Sequence, residues 1–289
     1  MRTRTNMHRR ARVSFMSPTR AILALSLALL AAFEAAAADT PDPLAAAIAS
    51  SARTPAFVRR DVYRHPLETL RFFGLRPDQT VVEIWPGRGW YMEILAPYLH
   101  DRGRYYAAIE APDVSGASQE AKDLAAGLRR RIADDPAHFG KVIVTELHPP
   151  QLTEICPAGT ADFVLTFRNV HNWIEDGTQQ QMFEAFFKAL KPGGVLGVVE
   201  HRAKPGASLE QMRKTGYVDE AYVRKLASAA GFRLDAASPV NDNPRDTKDY
   251  PQGVWTLPPT LALGDEDRDR YLAIGESDRM TLRFLKPRG

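Results

Sequence analysis

A single cysteine, Cys156, stands among the 289 residues, so the chain can form no internal disulfide. It has no HExxH, no CxxC and no run of histidines and cysteines at metal-ligand spacing, which argues against a zinc site; no metal is expected. No glycine-rich loop ends in Lys-Ser or Lys-Thr, which excludes a phosphate-binding P-loop. The apolar run from Ala21 to Phe33 is shorter than the ~20 residues a membrane span needs, and Glu34 closes it. No internal repeat or low-complexity stretch interrupts the main body, and 44% hydrophobic with 25% charged residues is ordinary globular composition.

The positive charge is unevenly placed. The net charge is +3, but residues 1–38 hold Arg2, Arg4, Arg9, Arg10, Arg12 and Arg20 against Glu34 alone. Of the 38 basic and 35 acidic residues, 32 and 34 remain from Asp39 on, a net of −2. That balance, with no interleaving of basic and aromatic residues, argues against nucleic acid as a partner. An arginine-rich start, an apolar run and the small residues Ala35–Ala38 are the three parts of a secretory signal. Residues 1–38 are therefore expected to be a signal peptide cleaved near Ala38, leaving an exported, periplasmic chain with no stable membrane span.

Residues 39–78 read as an N-terminal helical arm, with Leu67, Leu70, Phe73 and Leu75 at helical spacing before Pro77. The domain expected over 79–289 alternates strands and helices. Strands are expected at 81–85, 105–110, 141–147, 162–167 and 195–201, then at 233–238 and 279–285. Helices are expected around 90–99, 122–132, 183–190 and 221–232, and Lys191-Pro192-Gly193-Gly194 reads as a turn. Five strands joined by helices, followed by two late strands, describe an α/β protein with a mostly parallel sheet and an antiparallel edge.

Three places in this order resemble the class I S-adenosylmethionine-dependent methyltransferases. VVEIWPGRG looks like that family's first motif, Glu110 lies about 20 residues past the glycine turn as the family's carboxylate does, and FFKALKPGGVLGVVE with YVRKLASAAGF looks like its fifth strand and following helix. LTFRNVHNWIEDG, with the W-P-G-R-G turn, most resembles a little-characterised set of leader-bearing predicted methyltransferases. The resemblance implies a Rossmann-like three-layer sandwich with a seven-stranded, mostly parallel sheet whose seventh strand is antiparallel. It also implies S-adenosylmethionine as cofactor and a small-molecule acceptor.

The residue types suit that chemistry. Gly87 and Gly89 would let the backbone approach the cofactor, Glu110 would accept from its ribose hydroxyls, and Glu83 would orient the turn. Trp85 and Pro86 replace the family's first glycine and its neighbour, so the indole either reshapes the pocket at its closest approach or turns into the core. Thr145 and Glu146 both compete for the adenine-contacting place, and Glu146 is taken as the cofactor residue. Arg168 and Asn169 follow strand four, where they could bind cofactor or an acceptor carboxylate, or cap the next helix. His171 is the first candidate for a base, because histidine ordinarily titrates near neutral pH; His201 is the second. The proline- and charge-rich segment around Trp255 reads as a lid. Because the cofactor is made in the cytoplasm, a second reading stays open: an exported, non-catalytic binding protein on this fold.

Overall fold

The structure, a computed structural model, describes Met1 and residues 42–288. The expected leader, Met1 apart, and its cleavage point at Ala38 lie outside the described residues. Four short helices come first, Pro43–Ile48 (α1), Pro55–Val58 (α2), Asp61–Arg64 (α3) and Pro66–Phe73 (α4). Proline opens α2 and α4, where its missing N–H costs nothing, and Gly74 closes α4 at a φ of 87°. Leu44, Leu70 and Phe73 of these helices share one buried cluster with Val81, Ile94 and Leu165 of the domain that follows.

The strands are Thr80–Ile84 (β1), Arg104–Glu110 (β2), Ile143–Leu147 (β3), Ala161–Phe167 (β4), Leu190–His201 (β5), Arg233–Ser238 (β6) and Arg279–Leu285 (β7). Between them run Met92–Leu99 (α5), Gln119–Asp134 (α6), Pro136–Phe139 (α7), Val170–Asp176 (α8), Gln179–Ala189 (α9), Leu209–Thr215 (α10), Glu220–Ala229 (α11) and Arg268–Ile274 (α12). All seven strands form one sheet in the order β3-β2-β1-β4-β5-β7-β6, with β7 antiparallel to both neighbours. The seven-stranded Rossmann-like sheet is as expected, but its antiparallel member is not at the edge. β7 is buried on both faces and sits inside, whereas β6 alternates exposed and half-buried residues, the pattern of an edge.

The Lys191–Gly194 turn is part of β5. Leu190 already pairs with Ala161, the register shifts before Val195, and Gly193, at a φ of 80°, donates to the Lys286 carbonyl at 2.9 Å. The backbone thus keeps partners through a bulge instead of leaving the sheet. α8, α10 and α12 are helices that periodicity did not reveal, each only seven residues long. Val82 and Ile84 pack with Trp173, Phe183 and Phe186 on one face of the sheet, and Val81 packs with Ile94 and Leu165 on the other. Among the described residues no helix is long and apolar enough to cross a membrane.

This order decides where chemistry can sit. The chain runs outward from β1 to β3, then returns to the far side of β1 with β4, so a crevice opens past the carboxyl ends of β1 and β4. The loops there are residues 85–91 and 168–169.

Candidate active site: two adjoining cavities

Two cavities meet at that crevice, of about 530 and 300 Å³, both within the range of ligand sites. They share Trp85, Pro86, Gly87, Asn169, His171 and Trp255 and differ in charge. The larger is lined by Glu110 at the end of β2, Glu120 of α6, and Glu175 and Asp176 of α8. The smaller is lined by Arg60, Arg64, Arg88 and Arg168, with Glu83 and Glu276. In the acidic cavity, burial raises the Glu110 carboxyl above its ordinary value, and Asp176 and Glu120 raise it further.

The glycine turn keeps a glycine's backbone where tryptophan stands. Trp85 has a φ of 45°, a left-handed conformation that bulky residues rarely adopt. Neither alternative for its ring holds alone. Half-buried, it meets Trp173 edge-on at 6.0 Å, donates from Nε1 to the Leu147 carbonyl at 3.4 Å, and still lines both cavities. The indole therefore reshapes the shared wall and leaves a cavity on either side.

The two glycines of the turn part company. Gly87, at a φ of 58°, lines both cavities, and a Cβ there would meet nothing within 4 Å. Gly89, at a φ of 84°, lines neither; a Cβ would lie 3.1 Å from Met92 and 3.3 Å from Leu128. The positive φ and close Cβ surroundings of Gly89 serve the backbone of the turn and the packing of α5 against α6. Gly89→Ala is accordingly expected to destabilise by about 1–3 kcal/mol and to leave cavity ligands unaffected. Gly87→Ala should cost only about 1 kcal/mol and weaken whatever the cavities bind. Urea melts and ligand titration of the two variants would show the opposite ranking if Gly89 faced a ligand.

Glu146 is out of place for a cofactor residue. It is partly exposed and paired with Arg129 at 2.6 Å, and the position at the end of β3 that lines the acidic cavity is His148. Asn169 is buried beneath the crevice. Its amide donates to the Ile84 carbonyl at 2.8 Å and to Thr166 Oγ1 at 3.2 Å, tying the end of β1 to β4, so neither capping nor ligand binding occupies that nitrogen. Arg168 turns into the basic cavity at a φ of 63°, away from the acidic one.

Glu200, beside His201 at the end of β5, carried no signal in the sequence, and it caps α8. Fully buried, it accepts from the backbone of Val170 at 2.6 Å, His171 at 3.4 Å and His201 at 2.7 Å, and from His171 Nδ1 at 3.1 Å. With the proton assigned to Nδ1 by that bond, Nε2 is the nitrogen His171 offers to the cavities. His201 Nδ1 lies 2.5 Å from Ser277 Oγ, and its ring centroid is 5.3 Å from that of His171. Burial pushes the His201 imidazole well below its ordinary range, and His171 and the arginines add to the effect, so it is neutral. His171, Glu200 and His201 bring one ligand atom each within 4.8 Å of one another. The acceptor capacity of the carboxylate is already spent on N–H donors, so as folded the group is a hydrogen-bonded set with no free carboxylate for a metal.

Glu83 lies in the basic cavity under the turn. Burial raises its carboxyl to about 7, against the opposing effects of Arg64 and of the Tyr105 hydroxyl, which donates to it at 2.5 Å. Tyr91 stacks on Phe167 at 3.6 Å, and with Trp90 it walls this same cavity. The segment around Trp255 is an ordered wall: Asp246 accepts from the Tyr217 hydroxyl at 3.0 Å, and the Trp255 ring stands 6.2 Å from His171. Arg60, Arg64 and Glu276 had no sequence signal, since α2, α3 and the approach to β7 reach the crevice only through the fold.

No protein-family model matches the chain, and no curated protein does. Among solved structures, a candidate sarcosine dimethylglycine methyltransferase from Galdieria sulphuraria aligns with a TM-score of 0.54 at 13% identity, over 81% of this chain and 91% of its own. The (4+2)-cyclase SpnF aligns with a TM-score of 0.52 at 17% identity, over 86% and 92%. A SAM dependent methyltransferase from Aquifex aeolicus aligns at 18% identity over 86% and 100%, with a TM-score of 0.49. The fold is that of the S-adenosylmethionine-dependent methyltransferases. Since one neighbour is described as a cyclase, function has to be argued from the site.

Proposed function

We propose that the protein is an S-adenosylmethionine-dependent methyltransferase whose acidic cavity holds the cofactor and whose basic cavity holds a small-molecule acceptor. The acidic lining carries this reading: Glu110, Glu120, Glu175 and Asp176 surround the larger cavity, and no lysine or arginine lines it among the described residues. S-adenosylmethionine bears a sulfonium and an ammonium against one carboxylate, so its net charge is the one such a lining favours. The open face of Gly87 admits a ligand against the backbone.

Glu110 would accept from the ribose hydroxyls. When bound, the cofactor supplies an electrophilic methyl group. His171 lines both cavities, so it stands where an acceptor and a cofactor would meet, and its Nε2 would take the acceptor's proton while Glu200 holds Nδ1–H. Trp85 and Trp255 at the shared wall would exclude water. The expected leader implies that this happens outside the cytoplasm, which cell fractionation tests directly: full-size protein confined to the cytosol would remove export from the reading.

Calorimetric titration of S-adenosylhomocysteine into the full-length protein is expected to give micromolar binding, and Glu110→Ala should weaken it by about 1.5–3 kcal/mol, the scale of a hydrogen bond to a charged group. No binding at millimolar ligand would overturn the methyltransferase reading and leave a binding protein. Unchanged affinity in the variant would remove Glu110 from the site.

A further inference from the structure

The basic cavity holds more hydrogen-bond donors than it satisfies. Arg64 is 2% exposed, yet its Nε and one terminal nitrogen have no hydrogen-bond partner, and one terminal nitrogen of Arg60 is in the same state. Glu276 is shared among Arg60 at 2.6 Å, Arg64 at 3.5 Å and Arg279 at 3.3 Å. The Arg64 contact satisfies charge by distance without making a hydrogen bond. Nothing is left for Arg168, whose guanidinium has neither hydrogen bond nor ion pair among the described residues. Of the two other carboxylates nearby, Glu200 is spent on backbone and imidazole N–H groups, and buried Glu83 accepts from the Tyr105 hydroxyl and makes no hydrogen bond or ion pair with an arginine among the described residues.

A buried guanidinium without acceptors, as that of Arg64 is, is costly unless a ligand supplies them, and half-buried Arg168 faces the same cavity with its donors unused. We propose that the basic cavity binds an anionic group of the acceptor, a carboxylate or a phosphate, on the guanidinium groups of Arg60, Arg64 and Arg168. The mutual strain of these charges agrees: burial pushes the Arg168 guanidinium down to about 10, and although Glu276 opposes this, Arg279 and Arg60 push it further the same way. Such an anion suits guanidinium forks, which bind carboxylate and phosphate with paired hydrogen bonds. The arginines line only the basic cavity, whereas His171 lines both. An acceptor anchored by its anion therefore presents its other end toward His171 and the shared wall. Phe57, Trp90, Tyr91 and Phe167 give the cavity aromatic sides, so the anion is expected to be carried on a flat apolar body.

This inference rests on the basic cavity being the acceptor's, and its test is separable from that reading. Benzoate, phenyl phosphate and neutral benzyl alcohol would be titrated calorimetrically into the full-length protein at constant ionic strength, with S-adenosylhomocysteine titrated separately. At least one anion is expected to bind with a dissociation constant of about 1 mM or below, the alcohol much more weakly, and the tighter anion identifies carboxylate or phosphate. Arg168→Met should weaken the anion by roughly tenfold or more; if that variant does not fold, Arg60→Met is read instead, since Arg60 lies at the partly exposed side of the cluster. No anion binding, equal binding of the alcohol, or anion binding unchanged in the variant would each overturn the inference. S-adenosylhomocysteine binding without anion binding overturns it and leaves the methyltransferase reading intact. Anion binding without S-adenosylhomocysteine binding does the reverse.

Discussion

Replacing Glu200 with alanine is expected to destabilise the protein by about 3–5 kcal/mol, the range for stripping a buried charged group from its partners. The carboxylate is fully buried, and its loss would leave the N–H groups of Val170, His171 and His201 without their acceptor and the His171 ring unanchored. Glu200→Gln should cost less, about 1–3 kcal/mol, because one oxygen still accepts while the amide nitrogen faces a donor. Denaturant melts would measure both. A loss below about 1 kcal/mol for the alanine variant would mean that these bonds do not hold α8 in place. A second readout concerns the proton itself. In wild type, nitrogen-15 spectra of His171 should show Nδ1 protonated and Nε2 bare, and in the glutamine variant a mixture of tautomers. An unaltered tautomer there would make Glu200 a helix cap with no hold on the base.

A large pH effect is expected from Glu83. Its carboxyl ordinarily titrates near 4.5 and is raised to about 7 in the fold, chiefly by burial. Between these values the folded state binds the proton that the unfolded chain has released, so stability falls as pH rises. The loss begins near pH 4.5, is complete above about 7, and amounts to about 3 kcal/mol for this group. Glu83→Gln keeps an acceptor for the Tyr105 hydroxyl and carries no charge. The variant should match wild type near pH 4 and exceed it by about 3 kcal/mol at pH 8. His201 works in the opposite direction, because its folded value is lowered and its neutral form gains stability as pH rises toward the ordinary histidine range. The difference between variant and wild type isolates Glu83 from that background. Curves that stay parallel from pH 4 to 8 would mean that Glu83 titrates alike in the folded and unfolded states and that burial does not raise it.

Much of the architecture was legible because it is written in local patterns. Val81 to Ile84, Phe163 to Phe167 and Met280 to Leu282 are apolar runs of strand length between turn residues, and the strands they mark begin and end within a few residues of expectation. Short helices were less legible. α8 shows only Val170, Trp173 and Ile174 on its buried side, too few turns for periodicity to speak. At the site, local chemistry placed Glu110, Gly87 and His171 at the crevice. Gly89 lies off both cavities, since a need for a positive φ looks the same in sequence as a need for ligand clearance, and His148, two residues past Glu146, takes the lining position.

By itself the sequence determined the order and kind of the elements, the glycine turn after β1 and the carboxylate after β2. Each of these depends on contacts within a few residues, through backbone conformation, apolar spacing and turn chemistry. Only the tertiary structure decided that β7 lies inside the sheet, that Glu200 holds α8 and His171, and that Arg60, Arg64, Arg168 and Glu276 meet in one cavity. Arg60 and Glu276 are 216 residues apart in the chain yet joined at 2.6 Å. Contacts of that span leave no periodic trace, because they are set by which faces the sheet and helices bury against each other, and the charge of the two cavities follows from them.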